Sequence, residues 1–115
     1  MIINLNRRNN FMSIAEPAHL EQDQIIVSDI VQNILCEQIS IEKKDLNPDL
    51  YIYEDLKIDS LDLVEIIKQI EETFDIKIDD SKILYMNTLQ EFIDFTLQTI
   101  YMKHGLEYLQ NKKFK

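Results

Sequence analysis

The chain is short of the residues that make tight turns. It holds one glycine, Gly105, and two prolines, Pro17 and Pro48, in 115 residues. An all-β fold needs many such turns, so their scarcity argues against one. The single cysteine, Cys36, cannot build a disulfide framework or a cysteine-based zinc cluster. It lies at the edge of an apolar stripe, where packing is its expected role, and it fits a reducing compartment. There are only two histidines. His19 falls in the N-terminal arm and His104 in the C-terminal tail, both outside the expected core. No apolar run approaches the roughly 20 residues that span a bilayer, so stable membrane insertion is not expected. The front of the chain lacks the long apolar stretch of a secretory leader. Arg7-Arg8-Asn9-Asn10 is too short and too poor in serine for a transit segment to be preferred. The expected location is the cytoplasm, with mitochondrion or plastid as the alternative; Met12 offers an alternative start.

Bases are scarce in the body of the chain. Residues 16–100 hold twenty acids and six bases, against a net charge of −9 for the whole. The ends are basic: Arg7 and Arg8 at the front, Lys103, Lys112, Lys113 and Lys115 at the back. An acidic body repels nucleic acid, whose binding depends on neutralising phosphates. It speeds encounter with basic protein surfaces.

Helical periodicity begins at Asp23. Ile26, Val27, Ile30, Val31, Ile34 and Leu35 recur at helical spacing and predict a first helix over 23–39. Residues 1–22 lack such a pattern and read as a flexible arm. Residues 40–58 form a long connection with a turn at Asn47-Pro48-Asp49. Its Leu46, Leu50, Ile52, Tyr53 and Leu56 are too apolar for a free loop, so it should fold back over the helices. The second helix starts at Asp59, an N-cap, with Asp62 at the matching capping-box position. Asp79-Asp80-Ser81 caps a short third helix through about Met86. Thr88 caps the last helix, with Glu91 at the box position, and Gly105 stops it. The segment 103–115 reads as a basic, solvated tail. The expectation is all-α: a small four-helix bundle of three main helices and one short one, with a long ordered loop after the first. The domain proper spans 23–102, as a monomer.

Ser60 sits at the start of the second helix among carboxylates. A nucleophilic serine needs a base within hydrogen-bond reach, and no Ser/His/Asp set, glycine-rich phosphate loop or metal-ligand spacing is present. The chain alone is therefore not expected to be an enzyme; it has no catalytic residues and no metal site. Ser60 is instead suited to modification by another enzyme. A phosphodiester there would meet the positive end of the helix dipole and unpaired backbone N–H groups. Ile66, Ile70 and Phe74 step along the core face of this helix. Leu61, Val64 and Lys68 lie on another side, and Asp62, Glu65, Glu71 and Glu72 line the exposed flank. Charge for steering with a little apolar grip is the composition of a transient docking surface.

The stretch Asp55-Leu56-Lys57-Ile58-Asp59-Ser60-Leu61-Asp62-Leu63-Val64-Glu65 resembles the attachment motif of acyl carrier proteins. The resemblance continues through Ile70-Glu71-Glu72-Thr73-Phe74-Asp75-Ile76-Lys77-Ile78-Asp79-Asp80, then Thr88-Leu89 and Phe92-Ile93. It covers about 23–102. It implies that a phosphopantetheinyl transferase loads Ser60 with 4′-phosphopantetheine from coenzyme A. The arm's thiol would carry acyl groups as thioesters in fatty-acid or related lipid synthesis. It implies that Asp59, Leu61, Asp62, Val64, Glu65, Glu71 and Glu72, with Lys68 among them, meet basic surfaces on acyl-transferring and acyl-modifying enzymes. It implies that Ile66, Ile70 and Phe74, with Leu89 and Ile93 from the last helix, line an apolar interior for the acyl chain. Each buried methylene would contribute about 0.8 kcal/mol there.

Two residues depart from the family's habit. Lys57, followed by Ile58, stands where the family often has glycine. Lys68 stands where it often has an apolar residue. With the extra length at both ends they hint at a specialised carrier, for a polyketide, an amino acid or an unusual lipid. A carrier-fold subunit that stabilises a partner complex is the remaining alternative.

Overall fold

The structure, a computed structural model, describes residues 19–112. The apolar stripe read from Val27, Val31, Ile34 and Leu35 forms the buried face of α1 (Leu20–Ile39). This helix starts three residues before the expected Asp23. The reason is that Asp23 is not an exposed first-turn acid but a buried one, held inside by partners from the far end of the chain. Ser40 ends α1 in the left-handed conformation, φ 57°, a place usually given to glycine.

The connection that follows is ordered, as its apolar content requires. It makes one 3-10 turn, Lys43–Asp45. Leu46, Ile52, Leu56 and Ile58 are buried in the common core. Asn47 Oδ1 accepts the Asp49 N–H at 2.8 Å and so shapes the expected turn. The loop is stitched to the chain before the last helix: Ile52 N–H donates to Asn87 O, Leu89 N–H to Leu50 O and Gln90 N–H to Pro48 O, all within 2.9 Å.

Next come α2 (Ser60–Phe74) and the short α3 (Asp80–Ile83). α3 ends before the expected Met86, although Asp79 caps it as read, accepting from Ser81 N–H and Oγ–H. α4 (Leu89–His104) opens with a complete capping box: Thr88 Oγ1 accepts the Glu91 N–H, and the Glu91 carboxylate returns to the Thr88 N–H. Those hydrogen bonds, from Thr88 and then Asn87, hold the Glu91 carboxyl below its usual range. Gly105, at φ +90°, stops α4. The architecture is the expected all-α bundle of three long helices with a long ordered loop after the first.

A further element closes the base of the bundle. α5 (Tyr108–Asn111) packs on α1 and α4. Its Leu109 is 2 % exposed. This corrects the reading of a solvated tail from residue 103, as far as Asn111. Leu109 has an apolar surface to cover, and Asp23 supplies a partner. The Asp23 carboxylate, with no exposed surface, accepts from His19 Nδ1 at 2.8 Å, Tyr101 Oη and Gln110 Nε2 at 2.7 Å. His19 Nε2 lies 3.2 Å from Glu107. Both histidines lie half-buried outside the core, as expected, but each is engaged: His19 joins this clasp. His104 Nε2 lies 2.9 Å from the carbonyl oxygens of Phe74 and Asp75. The arm up to residue 18 and the last three residues, Lys113 and Lys115 included, lie outside the described residues.

Candidate functional site

Ser60 is the first residue of α2, and the residue before it fixes that position. Asp59 has an extended backbone, and its Oδ1 accepts the Asp62 N–H at 2.8 Å. This satisfies one of the helix's orphan donors and ends the loop sharply at the serine. The Asp62 carboxylate turns toward α1 and accepts from Gln38 Nε2 at 3.3 Å; Gln38 in turn accepts from Gln69. These polar links set the entrance of α2 against the end of α1.

Ser60 itself is exposed, and among the described residues none hydrogen-bonds its hydroxyl. The hydroxyl stands at the positive end of a 15-residue helix, where a phosphate is favoured. The setting fits a phosphodiester-linked group that another enzyme must reach from solvent. Among the described residues no cluster of His, Cys, Asp or Glu could hold a metal ion, and no helix there is long and apolar enough to cross a membrane.

The approach to Ser60 is shaped by Lys57. Its backbone is left-handed, φ 55°, the conformation that glycine adopts without a Cβ penalty. Lys57 thus takes the backbone conformation that glycine would favour at this position. Lys57 Nζ donates to the Glu54 carbonyl at 3.2 Å, and Ile58 turns inward to the core.

The two faces expected of α2 are present and separate. On the outer face Leu61 is 80 % and Val64 60 % exposed; Asp59, Glu65, Lys68 and Glu72 are exposed as well. Asp62 is half-buried. Glu71 departs from the expected flank. It is half-buried, and its carboxylate accepts the Ile78 N–H at 2.8 Å, tying down the loop after α2. On the inner face Ile66, Ile70 and Phe74 have no exposed surface, and Leu89 and Ile93 complete the buried set.

Among the exposed apolar residues not singled out from the sequence are Tyr51, Leu84 and Tyr85, the last 84 % exposed. Hydrogen bonds join Ile58 to Ile52, and Ile52 to Asn87. They bring this loop and the end of α3 to the Ser60 end of the bundle. Periodicity could not find them, because α3 is a single turn and the loop has no repeat; their apolar character without a core partner was the available signal.

A family model described as a phosphopantetheine attachment site matches residues 29–96. An acyl carrier protein of Cyanophora paradoxa is 85% identical over 103 residues, covering 90% of this chain and all of that protein. An acyl carrier protein of Cyanidioschyzon merolae is 38% identical over 79 residues, 69% of this chain and 85% of the relative. One of Guillardia theta is 39% identical over 70 residues, 61% of this chain and 86% of the relative. With its helical bundle, its capped serine and these matches, the chain belongs to the acyl carrier protein family, carriers that hold 4′-phosphopantetheine covalently and are not themselves enzymes.

Proposed function

We propose that Ser60 is the attachment point and that the chain carries acyl groups in fatty-acid or related lipid biosynthesis. The observation that carries the first part is the exposed hydroxyl at the capped entrance of α2, inside the matched attachment-site region. The attached group supplies a terminal thiol that holds acyl cargo as a thioester. The chain's own residues do the rest. Asp59 fixes the helix start, the α2 dipole favours the phosphate, and the buried face of α2 offers apolar shelter to cargo. Ile66, Ile70, Phe74, Leu89 and Ile93 are the residues proposed to meet the acyl chain. Acyl cargo is supported by the similarity to acyl carrier proteins and by this apolar interior, whose occupancy each buried methylene would favour by about 0.8 kcal/mol.

The docking face is proposed to be Leu61 and Val64 ringed by Asp59, Asp62, Glu65 and Glu72, with Leu84 and Tyr85 extending it. A basic groove on a phosphopantetheinyl transferase or an acyl-handling enzyme complements it in charge. Lys68 places one positive charge within this face and so discriminates among partners.

The test is intact-protein mass after incubation with coenzyme A and a phosphopantetheinyl transferase. One pantetheine adduct is expected on the native chain and none on Ser60→Ala. An adduct that persists in Ser60→Ala moves the attachment elsewhere. The acyl species on protein isolated from its own cells would then distinguish common fatty acyl groups from specialised cargo.

A further inference from the structure

We propose that α5 is the floor of the acyl pocket, and that Leu109 sets the longest chain the bundle can shelter. This rests on the pocket proposed above. Ile66, Ile70 and Phe74 descend α2 away from Ser60, and the helix from Ser60 to Phe74 spans about 21 Å at its ordinary rise. Phe74 is the lowest of them. What lies beyond it is not solvent but the last residue of α4 and the chain that follows.

That chain is fastened to the end of α2 in several ways. His104 Nε2 sits 2.9 Å from the Phe74 and Asp75 carbonyl oxygens, and Tyr108 Oη donates to Phe74 O at 3.3 Å. The two rings stack, with centroids 3.9 Å apart. One residue on, Leu109 enters the same buried cluster as Phe74, Ile100 and Val27. Gln110 then donates to the buried Asp23, which fixes α5 across the start of α1. A helix of four residues is not stable by its own hydrogen bonds. Its position is set by Leu109, Tyr108 and the Asp23 clasp. α5 therefore inserts one apolar side chain into the base of the bundle, as a plug on a short tether.

Interiors are packed so closely that a change of one methylene is felt. An acyl chain threading past Ile70 and Phe74 ends against the Leu109 side chain. Shortening that side chain lengthens the space by a few carbon atoms, and enlarging it shortens the space. The truncation leaves the Asp23, His104 and Tyr108 contacts, which also hold α5, in place.

The experiment compares the native chain with Leu109→Ala and Leu109→Phe. Each is loaded on the phosphopantetheine thiol with saturated acyl groups of increasing even length. The thermal midpoint is read against the same protein with a free thiol. In the native chain the midpoint should rise with length and then level off. Leu109→Ala should level off about two carbons later, and Leu109→Phe earlier. Gln110→Ala, which loosens α5 while keeping Leu109, should shift the break to longer chains and serves where Leu109→Ala does not fold. A break at one length in every variant overturns the proposal while the pocket stands. A native chain whose midpoint ignores acyl length removes the pocket reading and this proposal with it, whereas Ser60 loading would still be seen by mass.

Discussion

The Tyr101 hydroxyl donates to the Asp23 carboxylate at 2.5 Å, across 78 positions of sequence. Burial, and then the hydrogen bond to Asp23, push the phenol well above its ordinary range, which favours the protonated, donating form of Tyr101. With His19 and Gln110 on the same carboxylate, three donors surround a side chain with no exposed surface.

Removing that charge strands its donors. Asp23→Ala should cost about 3–5 kcal/mol, the range for breaking a buried charge pair. Tyr101→Phe keeps the ring and should cost about 2 kcal/mol. Urea unfolding of both variants and of the double variant checks this. The double variant should cost clearly less than the sum, since both changes act on one network. A summed cost would mean the two residues act separately.

His19 gives the clasp a pH dependence whose sign follows from its pKa. Glu107 first, and then Asp23, raise His19 above 6.5 against the opposing effect of burial. A group with a raised folded pKa adds stability that is complete below the unfolded value near 6.5 and is lost as pH rises through the folded one. The native chain should therefore lose stability relative to His19→Gln on going from mildly acid to mildly alkaline pH. Thermal midpoints of both proteins over that window measure it; parallel curves would show that His19 does not hold the clasp through its charge.

Lys57 occupies a backbone region that costs an L-residue about 1–2 kcal/mol. Glycine relieves that strain but loses about 0.5–1 kcal/mol of chain entropy. Lys57→Gly should therefore stabilise the protein by roughly 0.5–1 kcal/mol and leave loading at Ser60 intact. Urea unfolding together with the intact-mass assay tests both halves.

Reversing charge on the outer face of α2 should affect encounter more than fold. Glu65→Lys should lower the kcat/KM of a phosphopantetheinyl transferase by about tenfold at low salt, and the deficit should shrink as salt screens the contact. Lys68→Glu, on the same face, should move the rate in the opposite direction. A salt-independent deficit in Glu65→Lys would point to a direct packing role.

Much of this molecule was legible from local pattern. Val27, Val31, Ile66, Ile70, Phe92 and Ile93 repeat at helical spacing, and a repeating apolar face must be buried against another. Thr88 with Glu91, and Asp59 before Ser60, are caps whose donors and acceptors lie within one turn. Turn conformation was less legible. Scarce glycine rightly argued against an all-β fold, yet Ser40, Lys57 and Asp75 all adopt positive φ, Ser40 and Asp75 as the left-handed caps that end α1 and α2. Glu71 reads as a surface acid by spacing, but the loop amide of Ile78 draws its carboxylate inward.

What the sequence settled alone is the set of interactions that close within a few residues: the helices, their caps, the serine at the entrance of α2 and the acidic outer face. What the tertiary structure decided is the base of the bundle. Asp23 looks like an ordinary helix-entrance residue, His19 like part of a flexible arm, and Leu109 like part of a loose end. Asp23 and Gln110 stand 87 positions apart, and no local pattern records such a pairing. It exists because a buried carboxylate must find donors wherever the fold brings them, and here the fold brings them from the far end of the chain.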